Sequence, residues 1–311
     1  VFFGSPAFAV PFLEVTAQAT RVVAVVSQPD RPAGRGQKLA EPAVKVAARA
    51  LGLPVFQPEK VRTPEVLEVL RAFEADVFVV VAYGRILPPA ILELPRRGCW
   101  NVHGSLLPKL RGAAPIQWSI IRGEAKTGVA VMRMEAGLDT GPVAAVREVP
   151  IGDDDTTGTL ALSLAAAGAP LLAETLPAIL DGSVRTTPQD DAAATLAPPL
   201  LKEDGRLRFD VPARAVSARA RGCDPWPGAS VLLDGEVMRV FGPRVLAGPA
   251  GGAPGAVLGL RPEGLAVACV DAPIAFAELQ LPNRKRLPAA ALLAGRPIAA
   301  GTSVHDPSTP A

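Results

Sequence analysis

Asp76-Val77-Phe78-Val79-Val80-Val81 decides how the first half of this chain folds. Five apolar residues in a row, without alternation, mark a strand covered on both faces, the kind found inside parallel sheets. The surrounding sequence agrees. Residues 22–26 form a short β-branched run, and Val55 opens another extended piece. Between them, residues 41–51 place apolar side chains at 44, 47, 48 and 51, the spacing of one helix face. Thr63 before Pro64 is a helix start, predicting a helix through Phe73. Downstream, 100–103, 128–134 and 143–149 read as strands and 113–122 as a helix. Asp153-Asp154-Asp155-Thr156-Thr157 reads as a helix start with carboxylates at the positive end, the helix running to about Leu180. Strands alternating with helices predict an α/β class: a doubly wound, mostly parallel sheet with helices on both faces.

A chain of 311 residues exceeds one hydrophobic core and is expected to split in two. The α/β domain is expected over 1–182. Periodicity stops in the Asp-, Thr-, Ala- and Pro-rich stretch 183–199, which reads as a linker. From 200 to 311 the texture changes to short β-like segments at 207–209, 230–233, 237–241, 256–260, 265–269 and 274–281. Gly- and Pro-rich turns separate them, and a helix intrudes near 212–221. That pattern predicts a small β-barrel.

Composition narrows the function. Three cysteines, Cys99, Cys223 and Cys269, form no C-x-x-C pair, which argues for a reducing compartment and against a zinc or disulfide framework. No metal site is expected. No uncharged apolar run of ~18 residues is read as a membrane span, and no export signal is read at the start. Net charge is only +2, yet residues 1–199 carry 19 basic and 20 acidic side chains and residues 200–311 carry 13 and 10. Five arginines between 206 and 221 face a single acid, Asp210, an asymmetry compatible with a polyanionic partner. Neither G-x-G-x-x-G nor G-x-x-x-x-G-K-[ST] occurs, so dinucleotide and nucleotide-phosphate binding lack their usual loops.

The chemistry concentrates at Asn101-Val102-His103-Gly104-Ser105-Leu106-Leu107-Pro108, which holds one of only two histidines. The other, His305, sits in a Pro-, Ser- and Thr-rich tail and is expected to be solvated. On a strand, Asn101 and His103 share one face. Asp139, between Gly137 and Gly141, sits on a loop. Together the three supply an amide donor for an oxygen gaining negative charge, an imidazole, and a carboxylate to orient it. A lone histidine at a strand end and an aspartate in a turn also have purely structural readings. No G-x-S-x-G elbow is present, so a covalent acyl-enzyme is not indicated and the nucleophile is expected to belong to the substrate.

These residues, with others, resemble the methionyl-tRNA formyltransferase family along nearly the whole chain. The resemblance rests on Gly4-Ser5-Pro6 with Phe8-Ala9-Val10-Pro11, on Gln28-Pro29-Asp30-Arg31-Pro32-Ala33-Gly34-Arg35-Gly36, and on Val81-Ala82-Tyr83-Gly84-Arg85-Ile86-Leu87-Pro88. It continues in the 101–108 stretch, Arg111-Gly112-Ala113-Ala114-Pro115-Ile116-Gln117 and Gly137-Leu138-Asp139-Thr140-Gly141. Lys202-Glu203-Asp204-Gly205-Arg206 and Pro225-Trp226-Pro227-Gly228-Ala229 extend it into the second domain.

The resemblance implies a Rossmann-like formyltransferase fold followed by an OB-like barrel. It implies formyl transfer from 10-formyltetrahydrofolate to the amino group of initiator methionyl-tRNA, with Asn101, His103 and Asp139 as the catalytic trio. Ser105, Leu106, Leu107 and Pro108 would border the folate, and Tyr83, Gly84, Ile86 and Leu87 would line its pterin pocket. The irregular loop 29–41 would approach the tRNA acceptor stem with Arg31, Arg35 and Lys38, while Arg206 and Arg208 would contribute from the barrel. A cytoplasmic monomer is expected. The alternatives within the fold are a sugar-nucleotide N-formyltransferase and a formyltetrahydrofolate hydrolase. Two departures stand out: Leu110 where an aromatic is common, and Ala7 where an acid is frequent.

Overall fold

In the computed structural model, residues 1–33 and 38–306 are described. The 76–81 run is the strand the sequence predicts. Among the described residues it is one of nine in the first part of the chain: β1 Phe2–Gly4, β2 Val25–Val26, β3 Arg31–Ala33, β4 Lys38–Ala40, β5 Val55–Phe56, β6 Phe78–Val81, β7 Cys99–His103, β8 Lys126–Arg133 and β9 Val143–Pro150. Seven form one sheet in the order β5-β2-β1-β6-β7-β8-β9. The pairs from β5 through β7 are parallel, while β7–β8 and β8–β9 are antiparallel. The chain first builds outward from β1 through β2 and β5, then returns to build the other side. The reversal leaves a crevice beyond the carboxyl ends of β1 and β6, where ligands of such sheets bind.

Each sheet face recruits its own helices. Phe3, Val26, Phe78 and Val80 share a buried cluster with Val66 and Leu70 of α3 (Pro64–Ala72) and Ile91 of α4 (Pro89–Leu92). Thr63 caps α3 as predicted, its Oγ1 accepting from the Val66 amide. Phe12 of α1 (Val10–Ala19) and Val129 of β8 lie against Gly168 of α6 (Thr157–Asp181) so closely that a Cβ there would meet both at 2.9 Å. By length and composition α6 is apolar enough to cross a membrane. Its Leu160, Leu164, Leu172, Leu176 and Ile179 are all buried within the protein, which supplies on the order of 10 kcal/mol. A further helix, α2 (Ala43–Ala50), follows β4.

Two compact units result. One comprises Val1–Pro115, Lys126–Pro150 and Ala161–Pro198; the other Ile116–Ala125, Ile151–Leu160 and Pro199–Ala311. This corrects the expected boundaries. Residues 183–198 are knit into the first unit: Thr187 exchanges two backbone hydrogen bonds with Val143, and Arg111 and Ala114 bond to Thr195 and Ala197. Acid- and proline-rich composition reads as a linker, but here the backbone groups find partners on the unit itself.

The second unit contains α5 (Pro115–Ile121) from its Ile116 onward, α7 (Ala213–Gly222), α8 (Ala289–Gly295) and an antiparallel sheet. Its strands are β10 Ser230–Leu233, β11 Glu236–Val245, β12 Val257–Arg261, β13 Gly264–Ala268, β14 Pro273–Gln280 and β15 Leu287–Pro288. The order is β10-β11-β14-β13-β12, with β15 on β14. Residues 302–305 join the two free edges: His305 exchanges backbone hydrogen bonds with Leu232 on β10, and Thr302 O accepts from Val257 N on β12. The His305 residue is exposed as expected, while its backbone closes the barrel. Val231, Val240, Val267, Phe276 and Leu279 fill the interior together with Val216 of α7 and Val304.

Other expectations are corrected in detail. Residues 207–209 are not a strand, because Leu207 and Phe209 are buried as single anchors under the barrel. The three aspartates stand just before the start of α6, where Asp155 accepts from Gly152 N at 2.7 Å and Thr159 Oγ1 at 2.9 Å. The 29–41 segment, expected to be irregular, carries the antiparallel pair β3–β4. Gly264 has φ +133°, and a Cβ there would run into the Phe276 carbonyl oxygen. Gly264→Ala is expected to destabilise the barrel by about 3 kcal/mol, read by thermal unfolding as a drop of roughly 10–15 °C in its transition.

Candidate active site

Strand β7 carries the candidate site. Its register is fixed on both sides, with Val80 opposite Asn101 on β6 and Ala130 opposite His103 on β8. The strand period turns Asn101 and His103 to one face. His103 is buried and Asn101 half-buried. Among the described residues, the protein offers the Asn101 carboxamide no hydrogen-bond partner. A half-buried amide in that state is left to bond to water or to a ligand.

The imidazole is held at one end. His103 Nε2 lies 3.0 Å from the Leu110 carbonyl oxygen. A carbonyl only accepts, so Nε2 carries the proton of this bond. Nδ1 is thereby left for chemistry, and Asp139 Oδ2 stands 3.6 Å from it. That separation exceeds a direct hydrogen bond but keeps the carboxylate turned toward the ring. The same Oδ2 accepts the Gly112 amide at 2.8 Å. Segment 110–112 therefore positions both groups: the Leu110 carbonyl fixes the ring and the Gly112 N–H fixes the acid. Leu110 and Asp139 both adopt left-handed backbone, at φ +61° and +52°, a conformation costing about 1 kcal/mol or more for such residues. The trio read from sequence is thus brought together by the fold, on β7 and the loop after β8.

The folate candidates divide. Ser105 is fully buried and its Oγ donates to Lys109 O at 2.6 Å, so the hydroxyl is spent inside the turn. Leu106, Leu107 and Pro108 stay half-buried beside the trio. Tyr83 corrects the expectation: its ring packs edge-on to Phe3 at 5.4 Å inside the core, and burial pushes its phenol pKa up. What Tyr83 presents is its carbonyl, which accepts Gln28 Nε2 at 3.0 Å. Leu87 is also core, while Gly84 and Ile86 are exposed. Aromatic and leucine side chains in a recognised motif look like pocket lining; an apolar strand end leads them inward instead.

Of the basic candidates, Arg31 is exposed on β3, Lys38 begins β4, and Arg35 lies outside the described residues. Arg206 stands 3.7 Å from Glu203. Arg208 is paired with Asp210 through Nε and Nη2 at 3.1 and 2.6 Å, which raises its pKa. Lys45, which the sequence reading passed over, holds both ends of the β3–β4 pair. Its Nζ reaches Asp30 at 2.6 Å and Glu41 at 2.9 Å, and Gln57 Nε2 adds a bond to Asp30 at 2.8 Å. Arg111, Gln189 and Thr195 were also missed as site residues. Gln189 and Thr195 fell in the stretch read as a linker, where composition gives no signal.

Comparison with known proteins places this arrangement. Residues 1–176 match the formyl transferase family model and residues 199–297 that of the formyl transferase C-terminal domain. The methionyl-tRNA formyltransferase of Sorangium cellulosum is 50% identical over 303 residues, spanning 97% of both chains. That of Citrifermentans bemidjiense is 47% identical over 302 residues, spanning 97% of this chain and 94% of the relative. The chain belongs to the methionyl-tRNA formyltransferase family. Solved structures share the formyltransferase fold at low identity. The sugar 3N-formyl transferase WlaRD, with dTDP and 5-N-formyl-THF, superposes with TM-score 0.66 at 16% identity, covering 91% of this chain and 97% of that one. HypX from Aquifex aeolicus, in complex with tetrahydrofolic acid, gives 0.62 at 19%, covering 94% and 46%.

The Lys45 cluster makes this formyltransferase's β3–β4 segment pH-sensitive. The Gln57 and then Lys45 hydrogen bonds hold the Asp30 pKa low, Lys45 does the same for Glu41, and Asp30 first raises that of Lys45. Depressed carboxylates stabilise above their unfolded values near ~4 and lose that contribution as pH falls through the folded pKa; raised Lys45 stabilises below ~10 and loses it as pH rises. Amide exchange at 28–31 and 41–45 is therefore expected to be slowest, after correction for intrinsic rates, between those limits. Lys45→Met should flatten the dependence.

Proposed function

We propose that the protein transfers the formyl group of 10-formyltetrahydrofolate to the free amino group of initiator methionyl-tRNA. Family membership along 97% of the chain supports the reaction. The observation that carries the chemistry is the unpartnered Asn101 carboxamide beside an imidazole whose Nε2 is committed and whose Nδ1 looks toward Asp139.

An aminoacyl ester's amine, with a free α-amine pKa of about 7.7–8.0, is partly neutral near pH 7 and attacks without a protein nucleophile. As it adds to the formyl carbon, negative charge grows on the formyl oxygen. Asn101 Nδ2 donates to that oxygen, and His103 does so through Nδ1 when that nitrogen carries a second proton, Nε2–H staying on Leu110. Asp139 keeps the imidazole oriented and takes the proton the amine gives up as it becomes an amide, directly or through water; the tetrahedral adduct then collapses with cleavage of the bond from the formyl carbon to the folate N10, which gains a proton as tetrahydrofolate leaves. Leu106, Leu107, Pro108 and Ile86 offer apolar, partly exposed surface close to the trio in sequence and strand order, the chemistry a flat heteroaromatic ring needs. These residues, rather than Tyr83 or Ser105, would hold the folate. Among the described residues no group of three His, Cys, Asp or Glu gathers to hold a metal, and none is assigned a step.

Arg31 on β3, Lys38 on β4 and Arg35, which lies between them in sequence, with Arg206 and Arg208 on the second unit, are assigned to RNA phosphates, which position a nucleic acid without reading its bases. The Arg208–Asp210 pair is exposed and contributes little where it stands, so exchanging the acid for a phosphate costs little. The protein is assigned to the cytoplasm as a monomer. Sugar-nucleotide transfer has only distant fold similarity behind it, at 16% identity.

Formylation of charged initiator tRNA, compared with charged elongator tRNA and an amino-sugar nucleotide, tests the assignment; transfer only to the amino sugar overturns it. Asn101→Ala is expected to lower kcat by roughly 10²–10³, the loss of one oxyanion donor, and unchanged turnover removes Asn101 from the chemistry. Arg35→Ala should raise KM for tRNA roughly tenfold, as one lost charge-assisted phosphate contact does, with folate affinity unaltered in direct binding measurements.

A further inference from the structure

One side chain outside the trio divides its whole hydrogen-bonding capacity between the acid loop and Arg111. Gln189 Nε2 donates to the carbonyls of Asp139 at 2.8 Å and Gly141 at 2.7 Å. Its Oε1 accepts from Arg111 Nε at 3.0 Å and Nη2 at 2.9 Å. Two donors and two lone pairs are thereby satisfied. Arg111 is buried, and its Nη2 also reaches Asp191 at 2.7 Å.

The placement matters more than the number of bonds. Arg111 stands between Leu110, whose carbonyl holds His103, and Gly112, whose amide holds Asp139. The Leu110 N–H in turn donates to Thr195 Oγ1 at 2.9 Å, and the Arg111 N–H to Thr195 O at 2.8 Å. Asp139 is left-handed at φ +52° and needs restraint from outside its own loop. We propose that Gln189 is a positioning residue that sets the approach of Asp139 to His103, by bridging loop 139–141 to Arg111. The stretch that composition marks as a linker is, on this inference, the back wall of the catalytic trio. The inference rests on the trio being catalytic.

Two variants separate the halves of the amide. Gln189→Ala removes both. Gln189→Glu keeps the length and an acceptor facing Arg111, and turns the donor that faces the Asp139 and Gly141 carbonyls into a charged acceptor. Both are expected to lower kcat roughly 10²-fold, the effect of an ångström-scale misplacement. KM for the folate donor and the thermal transition should stay near wild type. The limb of the kcat–pH profile that reports the His103–Asp139 pair should move, which a merely structural bond would not cause. Wild-type kcat in Gln189→Glu overturns the proposal, because anchoring Arg111 would then suffice. A kcat loss accompanied by a matching fall in thermal stability overturns it too. Asn101→Ala run in parallel keeps the failures distinct. If it is inactive while both Gln189 variants are active, only the positioning role falls; if it is fully active, the catalytic reading falls first.

Discussion

The bond between His103 Nε2 and the Leu110 carbonyl governs everything the site does. It selects the tautomer: with one ring nitrogen bound to an obligate acceptor, the other is the face that meets Asp139 and an incoming reactant. The bond in turn requires Leu110 in a left-handed conformation that leucine does not favour. Thr195, accepting the Leu110 amide, and Arg111 and Ala197, tied across the same segment, keep it there. The strain is small beside the stability of a domain, and it is spent where geometry decides the chemistry.

The parallel sheet places this arrangement but does not complete it. β7 brings Asn101 and His103 to the carboxyl edge; the antiparallel β8 then carries the chain back and its following loop delivers Asp139. A wholly parallel continuation would need a helical crossover at that point, and the acid would arrive on a longer connection. The turn to antiparallel pairing after β7 keeps Asp139 thirty-six residues from His103 in sequence and 3.6 Å away in space.

The sequence revealed the site's parts better than its supports. β6 was legible because an unbroken apolar run has few alternatives, and His103 stood out as a candidate because histidine is so scarce. Tyr83 was misjudged because its motif lies at a strand end, and nothing local says that its ring turns back toward Phe3. Gln189 and Thr195 were invisible for a different reason. Their role is to satisfy backbone groups some fifty to eighty-five residues away, and side chain–backbone bonds leave no periodicity. The barrel was legible from its strand spacing, though 207–209 passed for a strand because two buried side chains flanking an exposed arginine mimic alternation.

The closing stitch of the barrel has a consequence for how the molecule is made. β10 and β12 stay open-edged until residues 302–305 lie between them. During synthesis, which proceeds from the amino end, the first unit has all of its residues once Pro198 has left the ribosome, whereas the second must wait for His305. Between the synthesis of Ser230, where the first barrel strand begins, and that of His305, a growing half-barrel displays unpaired strand edges of the sort that invite non-native pairing. The stretch of synthesis that ends at His305 is thus the one in which the barrel's edges stand open.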